Sequence, residues 1–258
     1  MTAPLLSCTK LTRRFGGVVA LDGLDLQLEE GRVLGLIGPN GSGKTTFFNV
    51  LTGIFPATSG EVEFAGGRIT DLRPQAVYRA GIARTFQRSR LCLPLSIFDN
   101  LMIGNHQRLE HGLWFNLVRR RALRHQIREA YGEAVELLRT FDEPLASRLF
   151  EPVSRVPMID RRRIEICRAL ISRPHLLLLD EPSAGMTLEE TQRLMDDLLQ
   201  VKRRMARLTI VLIEHEMSVI ERITDWCVVL NYGRKIAEGT YAEVARDSQV
   251  RQAYLGLE

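Results

Sequence analysis

Two spacings of apolar residues alternate along this chain and divide it into extended and helical stretches. Leu5-Leu6-Ser7-Cys8-Thr9-Lys10-Leu11 and residues 18–28 show a period of two, which puts Leu24, Leu26 and Leu28 on one face of a strand. Arg32-Val33-Leu34-Gly35-Leu36-Ile37 is a short buried strand, and residues 46–52 follow as a helix. After the turn Pro56-Ala57-Thr58-Ser59-Gly60, residues 61–69 predict a strand and hairpin and residues 74–80 a short helix. Ile82-Ala83-Arg84-Thr85-Phe86 is a buried strand ending at Gln87. From residue 96 to about 141 the period becomes helical against an arginine-rich background, with Val135, Leu137 and Leu138 on one face, and a helical subdomain is expected there.

Residues 160–171 form a further helix, stopped before Pro174. Leu176-Leu177-Leu178-Leu179 does not alternate, so it reads as a strand covered on both faces. Residues 187–205 predict a helix, 209–214 a second buried strand, 228–236 a hairpin and 241–247 a short helix. Buried strands interleaved with helices specify an α/β fold, in which ligands bind at the C-terminal edge of the strands.

The stretch Gly38-Pro39-Asn40-Gly41-Ser42-Gly43-Lys44-Thr45-Thr46 fits the phosphate-loop pattern G-x-x-x-x-G-K-[ST] at every fixed position, between a strand and a helix as the pattern requires. Glycines allow the tight backbone turns that aim N–H groups at an anion, and the helix N-terminus adds its positive end. Lys44 then supplies a point charge for the β and γ phosphates, and Thr45 a hydroxyl for Mg²⁺.

Other candidates stand at strand ends. Asp180-Glu181 closes the leucine strand, where Asp180 would hold Mg²⁺ through water and Glu181 would polarise an attacking water, unless the pair merely caps the next helix. His215 comes after the next buried strand and is placed to touch a γ-phosphate; a lone histidine is otherwise structural or exposed. Gln87 reaches a metal, a water or a phosphate oxygen, or is simply solvated. Phe15 stacks on a nucleotide base or serves as a core or edge residue.

Composition narrows the class further. The 258 residues suit one large or two small domains, no apolar run approaches the ~18 to 20 residues of a membrane span, and Met1-Thr2-Ala3-Pro4 lacks a signal-peptide start. Cys8, Cys92, Cys167 and Cys227 are scattered, against both a zinc site and a disulfide framework. A formal charge of +4 names no partner in a chain this long. The basic stretch Arg119-Arg120-Arg121 with residues 124–128 is a solvated helix face or a membrane or protein contact.

Taken in order, Phe15, residues 38–46, Gln87, Asp180-Glu181, Ser183-Ala184-Gly185-Met186 and His215 resemble the ATP-binding cassette ATPases over essentially the whole chain. The resemblance implies a RecA-like phosphate-loop core with an antiparallel β subdomain (residues 1–95 and 173–258) and a helical subdomain (residues 96–172), in one ATPase domain spanning 1–258. It implies that Phe15 stacks on adenine, that Lys44 and the loop amides hold the phosphates, and that Thr45, Gln87 and Asp180 serve Mg²⁺. Glu181 is then the catalytic base and His215 stabilises the γ-phosphate. Phe15-Gly16-Gly17-Val18-Val19-Ala20-Leu21, Gly81-Ile82-Ala83-Arg84-Thr85-Phe86-Gln87, Gly104-Asn105-His106 and the closing Ala253-Tyr254-Leu255-Gly256 look like the ATPase of branched-chain amino-acid importers. Such systems set two ATPases, often different, beneath two integral-membrane permease subunits at the cytoplasmic face of the inner membrane, with a periplasmic or surface binding protein delivering the solute. No nucleic-acid partner is expected.

One segment departs from the family. Its signature, roughly L-S-x-G-Q, falls on Val156-Pro157-Met158-Ile159-Asp160. In the family the signature of one subunit covers the γ-phosphate held by the other. Pro157 removes a hydroxyl and an N–H, Ile159 adds a branched side chain, and Asp160 brings a negative charge that would repel a phosphate by about 4 kcal/mol at ~4 Å under an effective dielectric of ~20. Asp160 also suits the cap of the helix that it precedes. The expectation is a weak signature and a heterodimer with a second ATPase, or alternatively a regulatory module that binds ATP with little turnover.

Overall fold

The computed structural model describes residues 3–87, 89–110 and 118–255. Its elements run β1 (Leu6–Phe15), β2 (Val18–Leu28), β3 (Val33–Ile37), α1 (Lys44–Leu51), β4 (Ser59–Phe64), β5 (Gly67–Arg68), α2 (Pro74–Arg79) and β6 (Ile82–Arg84). Then come α3 (Ile97–Asn105), α4 (Arg120–Phe141), α5 (Glu143–Ser147), α6 (Met158–Leu170), β7 (Leu176–Asp180) and α7 (Leu188–Arg204). The chain closes with β8 (Thr209–Ile213), α8 (Met217–Ile223), β9 (Trp226–Asn231), β10 (Arg234–Gly239), α9 (Tyr241–Val244) and α10 (Ser248–Leu255). Two compact units result, one of Met1–Arg84, His175–Glu181 and Ala206–Glu258, the other of Thr85–Pro174 and Pro182–Met205.

The first unit holds both sheets. One is antiparallel in the order β2-β1-β4-β5, and the other runs β10-β9-β3-β8-β7-β6. In the second, β9, β3, β8, β7 and β6 pair in parallel and β10 adds an antiparallel edge. The unalternating apolar runs are explained by this arrangement, because every residue of β3, β7 and β8 is buried. One apolar cluster takes Leu6, Leu11, Leu24 and Val62 from the antiparallel sheet, Leu36, Leu178 and Val211 from the parallel one, and Phe47 and Phe48 from α1. Phe47 is wholly buried, so Phe47→Ala is expected to cost about 3–5 kcal/mol in denaturant unfolding. A loss below about 1 kcal/mol would mean that α1 is not anchored through this ring.

The second unit is helical. In it α6 lies against α3, α4 and α7, and Leu101, Ala134, Leu138, Ile164 and Leu194 are among its buried apolar residues. Thr187 caps α7 through a capping box with Glu190, as its S/T-x-x-E spacing requires.

Three expectations need correction. The strand expected to run to Phe86 and end at Gln87 stops at Arg84, whose pairing with Leu178 is the last in that ladder. The helix expected from residue 160 begins at Met158 with Pro157 in the N-cap position, because a proline there has no N–H to lose to the helix ladder. Asp160 is therefore an acid of the first turn and not the cap. The helix expected over 241–247 is a single turn capped by Thr240 and Glu243, and α10 comes after it without having been predicted from the spacing.

Candidate nucleotide-binding site

Strand β3 delivers the chain at Ile37 into the glycine-rich loop, and α1 leaves it at Lys44. Gly38 (φ +148°) and Gly43 (φ +104°) take backbone conformations that side chains disfavour, and a Cβ at either would run into a carbonyl oxygen, of Leu230 and Ala20 respectively. The loop is pinned from outside where the Gly233 N–H donates to the Ser42 carbonyl at 3.0 Å. Among the described residues no side chain caps α1, and its first intrahelical bond is Phe47 N–H to Gly43 oxygen at 2.8 Å. The leading N–H groups of α1 are thus left for an external acceptor.

The Lys44 ammonium folds back over the loop, donating to the Gly38 carbonyl at 2.8 Å and the Pro39 carbonyl at 3.0 Å. Burial pushes its pKa down, while the carboxylates of Glu181 and Asp180 pull it back up. Thr45, next along α1, is exposed.

Asp180 ends β7 with its side chain buried and its Oδ2 accepting from Arg84 Nη2 at 2.6 Å. Glu181 steps out of the strand with φ +49° while its N–H donates to the Ile213 carbonyl at 2.9 Å. Its Oε1 lies 2.7 Å from His215 Nε2. With the carboxylate ionised, that contact puts the imidazole proton on Nε2. Lys44, Asp180, Glu181 and His215 thus come together, the lysine coupled to both carboxylates and the histidine bonded to one.

Phe15 is 38% exposed, meets Phe55 edge-on at 5.2 Å, and has the Arg13 guanidinium 4.4 Å from its ring centroid. The ring is braced yet partly open. Gln87 belongs to the helical unit, where its carbonyl accepts from Arg162 Nη2 at 2.7 Å. Arg84 was missed as a site residue, although a charge inside an apolar strand was itself a signal, since a buried arginine demands a partner.

In the departing segment, Val156 is buried and Met158 is 59% exposed. Asp160 is tied by Oδ1 to Arg163 Nη1 at 3.1 Å. Arg163 also bonds Asp197 and Asp142, both at 2.9 Å. Burial works against its charge, but these carboxylates outweigh it and hold the guanidinium firmly protonated. The negative charge expected to repel a phosphate is therefore matched locally.

A family profile described as ABC transporter matches residues 21–184, spanning the loop, the Asp180-Glu181 pair and the departing segment. The chain belongs to the ABC transporter family. This ABC-type ATPase also matches, over residues 234–258, a profile described as branched-chain amino acid ATP-binding cassette transporter. Gly256 of the closing motif falls in that span, outside the described residues. The chain is 38% identical over 256 residues to the high-affinity branched-chain amino acid transport ATP-binding protein LivG of Salmonella typhimurium, covering 99% of each. It is 37% identical to BraF, of the same description, from Pseudomonas aeruginosa, again over 99% of each. Among solved structures, the ADP conformation of MJ1267, an ATP-binding cassette of an ABC transporter, superposes with a TM-score of 0.83 at 28% identity, covering 99% of this chain and 100% of that one. The α/β architecture expected from the sequence is thus the cassette ATPase fold.

Proposed function

We propose that this ATPase binds MgATP on residues 38–46 and drives import of branched-chain or related amino acids through membrane permease subunits. The observation that carries the reading is the end-to-end likeness to LivG and BraF, joined to the convergence of Lys44, Asp180, Glu181 and His215. Phe15 offers its open face to adenine, and the loop amides from Gly38 to Thr46 with Lys44 take the phosphates. Among the described residues no group of three or more His, Cys, Asp or Glu could cage a metal. The single buried carboxylate of Asp180 fits Mg²⁺, which is commonly held by one or two carboxylates together with substrate phosphates. Asp180, Thr45 and Gln87 are its proposed ligands, and when bound Mg²⁺ neutralises phosphate charge. Glu181 takes the proton of the attacking water, and the Nε2 proton that His215 now gives Glu181 is the donor available to the γ-phosphate.

The partners are two permease subunits, a periplasmic or surface binding protein, and a second ATPase, with no nucleic acid. No described helix is long and apolar enough to cross a membrane, and the proposed place is peripheral, on the cytoplasmic face of the inner membrane. The second ATPase is inferred from Pro157 and Ile159, which leave this chain's signature short of a hydroxyl, an N–H and a glycine. The same residues favour a second reading, a regulatory subunit that binds ATP with little turnover.

Purification of the tagged chain from its native membrane is expected to bring down a second ATPase and two permeases; recovery of the chain alone would sink the transport assignment. The purified chain by itself should hydrolyse ATP slowly even when concentrated. Restoring Pro157→Ser, Ile159→Gly and Asp160→Gln together should raise that rate about tenfold or more, on the scale of one to a few hydrogen bonds regained at the transition state. Fast, cooperative turnover by the unaltered chain would show that its signature works.

A further inference from the structure

We propose that Arg84 is a positioning residue that holds the carboxylate of Asp180 by its Oδ2 and, by its fixed charge, limits how tightly the nucleotide's divalent cation is gripped. The inference rests on the nucleotide reading above. The two side chains are 5% and 4% exposed and meet at 2.6 Å. The other arm of the guanidinium donates to Asn49 Oδ1 at 2.7 Å, and its centre lies 5.2 Å from the Phe48 ring. Asn49 and Phe48 belong to α1, the helix that Lys44 opens. Arg84 therefore ties the helix of the phosphate loop to the strand that carries the metal carboxylate, and fixes the rotamer of that carboxylate.

Two consequences pull in opposite directions. Arg84 engages the Oδ2 of Asp180, so the Oδ1 of the carboxylate so fixed would be the oxygen offered to a cation or its bound water. The guanidinium cannot shed its proton, so its positive charge remains when a divalent cation approaches the same carboxylate. Inside the fold that repulsion is poorly screened by salt. Orientation favours the cation and charge opposes it, which suits a site that must release its metal and product on every cycle. A salt bridge that only braced the fold would change stability and leave the linkage between metal and nucleotide untouched.

The test is the affinity of the full chain for a non-hydrolysable ATP analogue, measured with Mg²⁺ and with a chelator; the ratio of the two gives the contribution of the metal. Arg84→Gln is expected to raise that ratio at least about fivefold over wild type, and Arg84→Lys, which keeps the charge, to stay within about twofold. A ratio in Arg84→Gln equal to or below that of wild type overturns the proposal. Should Arg84→Gln fail to fold, Arg84→Met faces the same criterion, and a rise in Arg84→Lys as large as in the neutral variant also overturns it. If wild type binds the analogue equally with and without Mg²⁺, the metal site itself is refuted, whatever Arg84 does.

Discussion

Lys44→Ala is expected to cut affinity for MgATP at least about a hundredfold while leaving the fold intact. Contacts from a charged donor to phosphate contribute about 1.5–3 kcal/mol each, and a hundredfold corresponds to about 2.7 kcal/mol. The ammonium is buried in the loop, that burial outweighs the pull of Glu181 and Asp180 and lowers its pKa, and its hydrogen bonds go to neutral carbonyls, so the protein gains little from it until an anion arrives. Removal should leave the melting temperature of the empty chain nearly unchanged. Equilibrium binding of a fluorescent ATP analogue checks the loss, and a variant binding within about fivefold of wild type would remove Lys44 from the site.

Glu181→Gln should separate binding from chemistry. An amide keeps the size of the carboxylate and still offers His215 Nε2–H an acceptor, so the geometry of the pair survives. It is no base, and general bases contribute about 10²- to 10⁴-fold. In the assembled complex this variant is expected to hold nucleotide as tightly as wild type while single-turnover hydrolysis at its own loop falls at least about a hundredfold. If most turnover occurs at that loop, steady-state activity falls with it. Full turnover after this one substitution would sink the idea that the chain contributes the working half of an unequal pair.

The phosphate loop was legible because its chemistry fixes residue types at neighbouring positions. The strand ends were legible for a related reason: β7 and β8 are unbroken apolar runs that can only be sheet interior, so Glu181 and His215, just beyond them, stand at the sheet edge. Arg84 was only half legible: its charge inside an apolar strand called for a partner, but that partner, Asp180, lies 96 positions away and no spacing rule links them. The start of α6 was misjudged because Pro157 was weighed as a damaged signature position and not also as a residue suited to opening a helix. Asp160 was weighed only as a signature charge or a cap, although its partner Arg163 stands three positions on along the same helix; the further links of Arg163 to Asp142 and Asp197 form only once α4, α6 and α7 have packed. Helix α8 escaped notice because, at seven residues, it offers too few apolar positions for a period to show, only Val219, Ile220 and Ile223 being buried.

The resting contacts of Lys44 bear on which anions the loop accepts. A lone inorganic phosphate would offer the ammonium one new neighbour while stripping it of the Gly38 and Pro39 carbonyls. A polyphosphate presents successive oxygens that engage the ammonium and the α1 N–H groups together, and so offsets both losses at once. The folded-back lysine thus sets a threshold for any anion, which would gain at this point of the loop only by replacing both carbonyl contacts.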